Sequence, residues 1–61
     1  MITANTNAKI NAVSSLVVMH DDLLKLRSFV CFSTGDVVLI DSMIAGTDIL
    51  INKIMKVKSD E

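Results

Sequence analysis

The segment Cys31–Ile40, with the sequence CFSTGDVVLI, joins the two halves of this chain and is compatible with two different folds. It places a polar STGD quartet between two apolar runs. That pattern fits a tight β-hairpin, and it fits equally the junction of two helices in which the quartet starts the second helix. The periodicity on either side of the segment distinguishes the two structures.

The N-terminal half carries an apolar stripe with alternating steps of four and three residues: Ala12, Leu16, Met19, Leu23, Leu26 and Val30. A polar stripe runs opposite to it: Asn7, Asn11, Ser14, Asp21, Lys25 and Ser28. Two interleaved stripes of this kind are typical of an amphipathic helix. We therefore predict a helix over residues 6–31, preceded by a disordered segment over residues 1–5.

The C-terminal half shows the same periodicity. Its apolar stripe consists of Val37, Ile40, Ile44, Ile51 and Ile54, with Thr47 in the one gap. Its polar stripe consists of Asp41, Asp48, Asn52 and Lys56. These stripes predict a second helix over residues 36–58, joined to the first by a turn over residues 32–35.

Local sequence signals agree with a helix start in the STGD quartet. Ser33 or Thr34 is a suitable N-cap, and Asp36 follows Ser33 by three residues, where its negative charge favours the start of a helix. Gly35 is expected to help the chain reverse direction. The β-branched runs VVLI and ILI favour strands, and they leave open an α+β alternative with an N-terminal helix and a β-hairpin. Neither run alternates, so the predicted fold is an all-α antiparallel helical hairpin.

Composition predicts that the hairpin associates. The chain has 61 residues that form one domain, 1–61, and it is 51% hydrophobic with a mean hydropathy of +0.53. A domain of this size usually needs disulfides, a metal or oligomerisation, and the single cysteine, Cys31, excludes an intrachain disulfide. We expect a homodimeric four-helix bundle. Its predicted core is Leu16, Leu23, Leu26, Ile40, Ile44 and Ile51.

The sequence carries no arrangement typical of catalysis. His20, Asp21 and Asp22 are consecutive, so on a helix they point about 100° apart and do not converge. The chain has one His, and no nucleophile–base pair or convergent carboxylate pair is evident. We therefore expect no enzymatic activity, no catalytic residue, no metal site, no cofactor and no small-molecule substrate.

Charge and composition restrict the partners. The net charge of −1, with the two signs intermixed, argues against nucleic acid, and no leader or membrane-spanning segment is evident, so we expect a cytoplasmic protein. The predicted function is a protein-binding regulator, inhibitor or adaptor that acts through an exposed apolar helical face; a nucleic-acid-binding helical-hairpin dimer remains the alternative. The candidate partner-binding residues lie beside the predicted core: Val17, His20, Leu24 and Arg27.

Overall fold

The computed structural model describes residues 3–59, which form two antiparallel α-helices lying side by side. Helix α1 spans Thr6–Arg27 and helix α2 spans Thr34–Met55, 22 residues each. Two-residue strands, β1 at Thr3–Ala4 and β2 at Lys58–Ser59, pair in parallel at the open end of the hairpin. The Cα atoms extend over 46 × 18 × 9 Å, so the molecule is a single layer of helices.

The predicted all-α helical hairpin is confirmed. The α+β alternative is wrong, because the runs VVLI and ILI both lie inside α2. The prediction of disorder at residues 1 and 2 lies outside the described residues. Thr3–Ala4, also predicted to be disordered, pairs with Lys58–Ser59, and the side chain of Asn5 accepts hydrogen bonds from the backbone N–H groups of Asn7 and Ala8 to cap α1.

Helix α1 ends at Arg27, four residues before its predicted end. The next residue, Ser28, donates to the carbonyl of Lys25 from both its backbone N–H (3.3 Å) and its Oγ (2.7 Å). Such local bonding satisfies a terminal carbonyl and closes the helix. The rings of Phe29 and Phe32 then pack edge to face, with centroids 5.3 Å apart, across the connection.

Helix α2 begins two residues earlier than predicted, because Ser33 is its N-cap. The Oγ of Ser33 accepts from the N–H of Asp36 (3.3 Å), and the Asp36 carboxylate accepts from the N–H of Ser33 (3.4 Å). This reciprocal capping box satisfies two backbone donors. The turn therefore covers residues 28–33 and not 32–35. The expected turn role of Gly35 is wrong, since Gly35 lies in the first turn of α2 without a positive φ.

Helix α2 ends at Met55, three residues before its predicted end, and Lys9 of α1 binds carbonyls at and just beyond this end. The Nζ of Lys9 donates to the carbonyls of Val57 (2.7 Å) and Met55 (3.3 Å). A cation is favourable there because unpaired carbonyls and the helix dipole make a C-terminus negative. The chain then turns at Lys56 and enters β2.

The seam between the helices follows alternating steps of three and four residues. In α2 it consists of buried and half-buried residues that coincide with the predicted stripe: Val37, Ile40, Ile44, Thr47, Ile51 and Ile54. Among residues with described side chains, Ile40 (3% exposed) and Thr47 (5%) alone are buried. The Thr47 hydroxyl donates to the carbonyl of Ile44 (2.7 Å), so its burial leaves no hydroxyl proton unpaired.

Helix α1 is rotated relative to its predicted stripe. Its half-buried positions are Thr6, Lys9, Ala12, Val13, Leu16, His20 and Leu23, of which Ala12, Leu16 and Leu23 belong to the predicted stripe. Of the predicted core, Ile40 is buried, while Leu16, Leu23, Ile44 and Ile51 are half-buried. Leu26 is 44% exposed in the single hairpin, because the rotation turns it away from the seam, and its place in the core of a dimer stays a prediction.

We expect Ile40→Ala to lower the free energy of unfolding by about 3 kcal/mol, because it removes buried methyl groups and leaves a cavity. Ile49→Ala is the matched control, since Ile49 is an exposed isoleucine of the same helix. Its loss should stay below about 1 kcal/mol. Urea denaturation followed by circular dichroism measures both values. Equal losses would show that the seam is misassigned.

Candidate protein-binding surfaces

One broad side of the hairpin contains an apolar groove between the helices, about 520 Å³ in volume. We call this side the groove face. Its large apolar residues are Leu16, Met19, Leu23, Leu26, Met43 and Leu50. Gly46 and Thr47 also line the groove, and Asp22 is the one charged residue among those that do. Met19, Leu26, Met43 and Leu50 are all exposed, so the groove is open to water.

Gly46 is unusual because it lies in the interior of α2, although no feature of the described chain requires glycine at that position. Its φ is not positive, and a Cβ atom added there would meet nothing within 4 Å. Glycine in a helix interior costs about 1 kcal/mol relative to alanine. Neither the backbone conformation nor a close contact within the described chain therefore requires glycine at the groove.

The opposite broad side carries an exposed apolar row on α1. Ile10, Val17 and Leu24 follow at steps of seven residues, which places them along one side of the helix. They are 55%, 44% and 46% exposed, respectively. Ile10 also lines a shallow hollow together with Met55 of α2. We call this side the paired face, because two polar pairs border the apolar row.

The first polar pair joins Arg27 of α1 to Asp41 of α2. Arg27 Nε lies 2.5 Å from Asp41 Oδ1, and Nη2 lies 3.5 Å from Oδ2, so the guanidinium faces the carboxylate as a fork. The hydrogen bond to Asp41 and the negative charge of Asp41 raise the pKa of Arg27. About half of each side chain is exposed, so water screens this pair and its contribution to stability is small.

The second polar pair joins His20 of α1 to Asp48 of α2. His20 Nε2 lies 3.1 Å from Asp48 Oδ1, within ion-pair distance of that carboxylate. His20 precedes Arg27 by seven residues, and Asp48 follows Asp41 by seven. The two pairs therefore lie two helical turns apart in the same antiparallel register.

The four sequence-predicted partner-binding residues fall into two groups. Val17 and Leu24 are exposed on the paired face. His20 and Arg27 already bind Asp48 and Asp41, so they frame the apolar row. Their role in partner binding stays a prediction.

Sequence reasoning placed Asp41 and Asp48 on a solvated stripe and missed them as cross-helix partners. The available signal was the seven-residue spacing on both helices: His20 to Arg27 on α1 and Asp41 to Asp48 on α2.

The chain matches no family model, no curated protein and no solved structure. Within the part of the chain that the structure describes, no three His, Cys, Asp or Glu side chains group closely enough to hold a metal ion. In the same part, neither helix has both the length and the apolar character needed to cross a bilayer.

We expect a double-mutant cycle of Arg27→Ala and Asp41→Ala to show a favourable coupling that weakens at high salt, because exposed ion pairs are screened. Arg27→Ala with Asp48→Ala is the control cycle, since Asp48 lies opposite His20. Thermal denaturation at low and high salt measures both couplings. Equal couplings in the two cycles would contradict the observed register.

Proposed function

We propose that this chain is a non-enzymatic protein-binding module, working as a regulator, inhibitor or adaptor, and that the paired face contacts its protein partner. The observation that carries the proposal is the exposed row of Ile10, Val17 and Leu24 beside two polar pairs. Single exposed apolar residues are common, but an aligned row is typical of an interaction surface.

The geometry of the row suits an extended partner surface such as a helix. Residues seven apart on a helix are about 10.5 Å apart along its axis, so Ile10 to Leu24 spans roughly 21 Å. Anchors at helical spacing are a recurrent mode of recognition between a helix and a groove. The row therefore offers a partner three aliphatic contacts in a straight line.

The charged groups that border the apolar row already have partners of opposite charge within the chain. A binding partner therefore does not need to supply charges to neutralise them. Arg27 and His20 already have carboxylate partners within the chain, Asp41 and Asp48. An apolar centre with a polar border is the usual anatomy of a protein–protein interface. The partner therefore needs a complementary apolar surface more than an opposite charge.

The mechanism in this proposal is steric. Binding covers or reshapes a surface of the partner, and no covalent bond forms or breaks. A cytoplasmic setting belongs to the proposal, because Cys31 is an exposed, unpaired thiol, which is compatible with a reducing compartment.

The adjacent valines of α1 provide a matched test. Val17 lies on the paired face, whereas Val18 lies about 100° away around the helix, and both are exposed. In a pull-down from a host extract, we expect the wild type and Val18→Asp to capture the same partner protein. Val17→Asp should fail to capture it. With that protein purified, Val17→Asp should weaken its affinity about a hundredfold, since a carboxylate replaces a buried contact.

Quantitative mass spectrometry with a nuclease-treated sample measures the recovery, and titration calorimetry measures the affinity. Circular dichroism must show equal helicity for the two variants. Equal partner binding by Val17→Asp and Val18→Asp would overturn the assignment of the face. Recovery that nuclease removes would favour the nucleic-acid alternative.

A further inference from the structure

We propose that the groove face is covered by a second copy of this chain, related by a twofold axis, so that two hairpins form a four-helix bundle. This contact uses a different side of the molecule from the proposed partner-binding face. Each proposal can therefore fail without the other. Surface area, charge and the position of Gly46 together carry the inference.

The surface area of the isolated chain is too large for its mass. Its accessible surface is 4614 Å² at 6.6 kDa. Folded monomers of that mass expose about 3,870 Å², so the excess is roughly 750 Å². A standard interface buries about 800 Å² on each partner. One contact of ordinary size would thus bring the chain to the surface expected of a compact protein.

The chemistry of the groove favours a second copy over a different protein. A twofold contact places the same patch against itself, so a charged patch would repel its copy. The groove is suited to self-association because Asp22 is the one charged residue among those lining it. Met19 and Met43 provide flexible apolar side chains that adapt to a facing copy.

Gly46 is an independent feature of this groove, because it leaves room for a close approach by another backbone. Nothing within the described chain occupies the space where its side chain would be. Glycine permits close backbone approach, and this benefit offsets its cost within a helix. Because Gly46 lines the groove, the approaching backbone belongs to whatever covers the groove face. In the proposed dimer that backbone is a helix of the second copy.

Neither a disulfide nor a bound metal ion is available in the described residues to stabilise the hairpin in place of this contact. The chain has one cysteine, and residues 3–59 hold no cluster able to bind a metal ion. Small domains without disulfides or metals commonly depend on association. A C2 dimer would bury the half-exposed groove residues of both copies together, including Leu26, which one hairpin leaves open.

Sedimentation equilibrium of the full chain over a range of micromolar concentrations tests the proposal. We expect the wild type and Ile49→Asp to sediment as dimers. Leu50→Asp should weaken dimerisation about a hundredfold, because it places an unpaired carboxylate in the contact. Leu50 and Ile49 are adjacent and similarly exposed in α2, but only Leu50 lines the groove.

Gly46→Met is the second variant. It tests the groove as the dimer interface even if Leu50→Asp unfolds the chain when it prevents dimerisation. No heavy atom lies within 4 Å of the position that a Cβ would take at Gly46, and the groove beside it is open to water, so the helical circular dichroism should be kept. The same side chain should weaken dimerisation at least about tenfold by overfilling the contact.

A wild type that stays monomeric and helical over the whole range would overturn the dimer. Unchanged association of both Leu50→Asp and Gly46→Met would overturn the groove as its interface. Neither result affects the comparison of Val17→Asp with Val18→Asp, which reports on the other face.

Discussion

Two helices can cover only one strip of each other, and this constraint governs the whole molecule. The strip on α2 runs through Ile40 and Thr47, the two buried side chains among those described. Most residues beyond the seam are exposed to water on one side or the other, because the hairpin is a single layer. A chain that is 51% hydrophobic therefore has more apolar surface than its own fold can bury.

Polar contacts across the seam accompany the rotation of α1. Lys9 binds the carbonyls of Met55 and Val57 at and just beyond the end of α2, while His20 and Arg27 form ion pairs with Asp48 and Asp41. Lys9 and His20 are half-buried at the seam, while Arg27 lies at its exposed edge. With Lys9 and His20 at the seam, neighbouring apolar side chains point outward on both sides of α1. One rotation therefore accounts for both the groove face and the paired face.

The two proposals are geometrically compatible because the two faces lie on opposite sides of the layer. A dimer that joins two groove faces would leave both paired faces on the outside of the bundle, pointing away from each other. Such a dimer would present the row of Val17 and Leu24 twice. Two linked sites can strengthen binding to a partner that is itself repeated, because the second contact is intramolecular.

The helical class, the seam of α2 and the capping of α2 by Ser33 with Asp36 follow from the amino-acid sequence alone. These features depend on residues within about four positions of each other, or on one clear apolar stripe. The strip of α1 that turns inward, and with it the exposure of Leu26, depends on the packing of the two helices. Apolar residues lie on several sides of α1, so its own pattern does not select one strip. The contacts that accompany the selected strip come from α2, at Asp41 and Asp48, which are distant in sequence and near only in the folded hairpin.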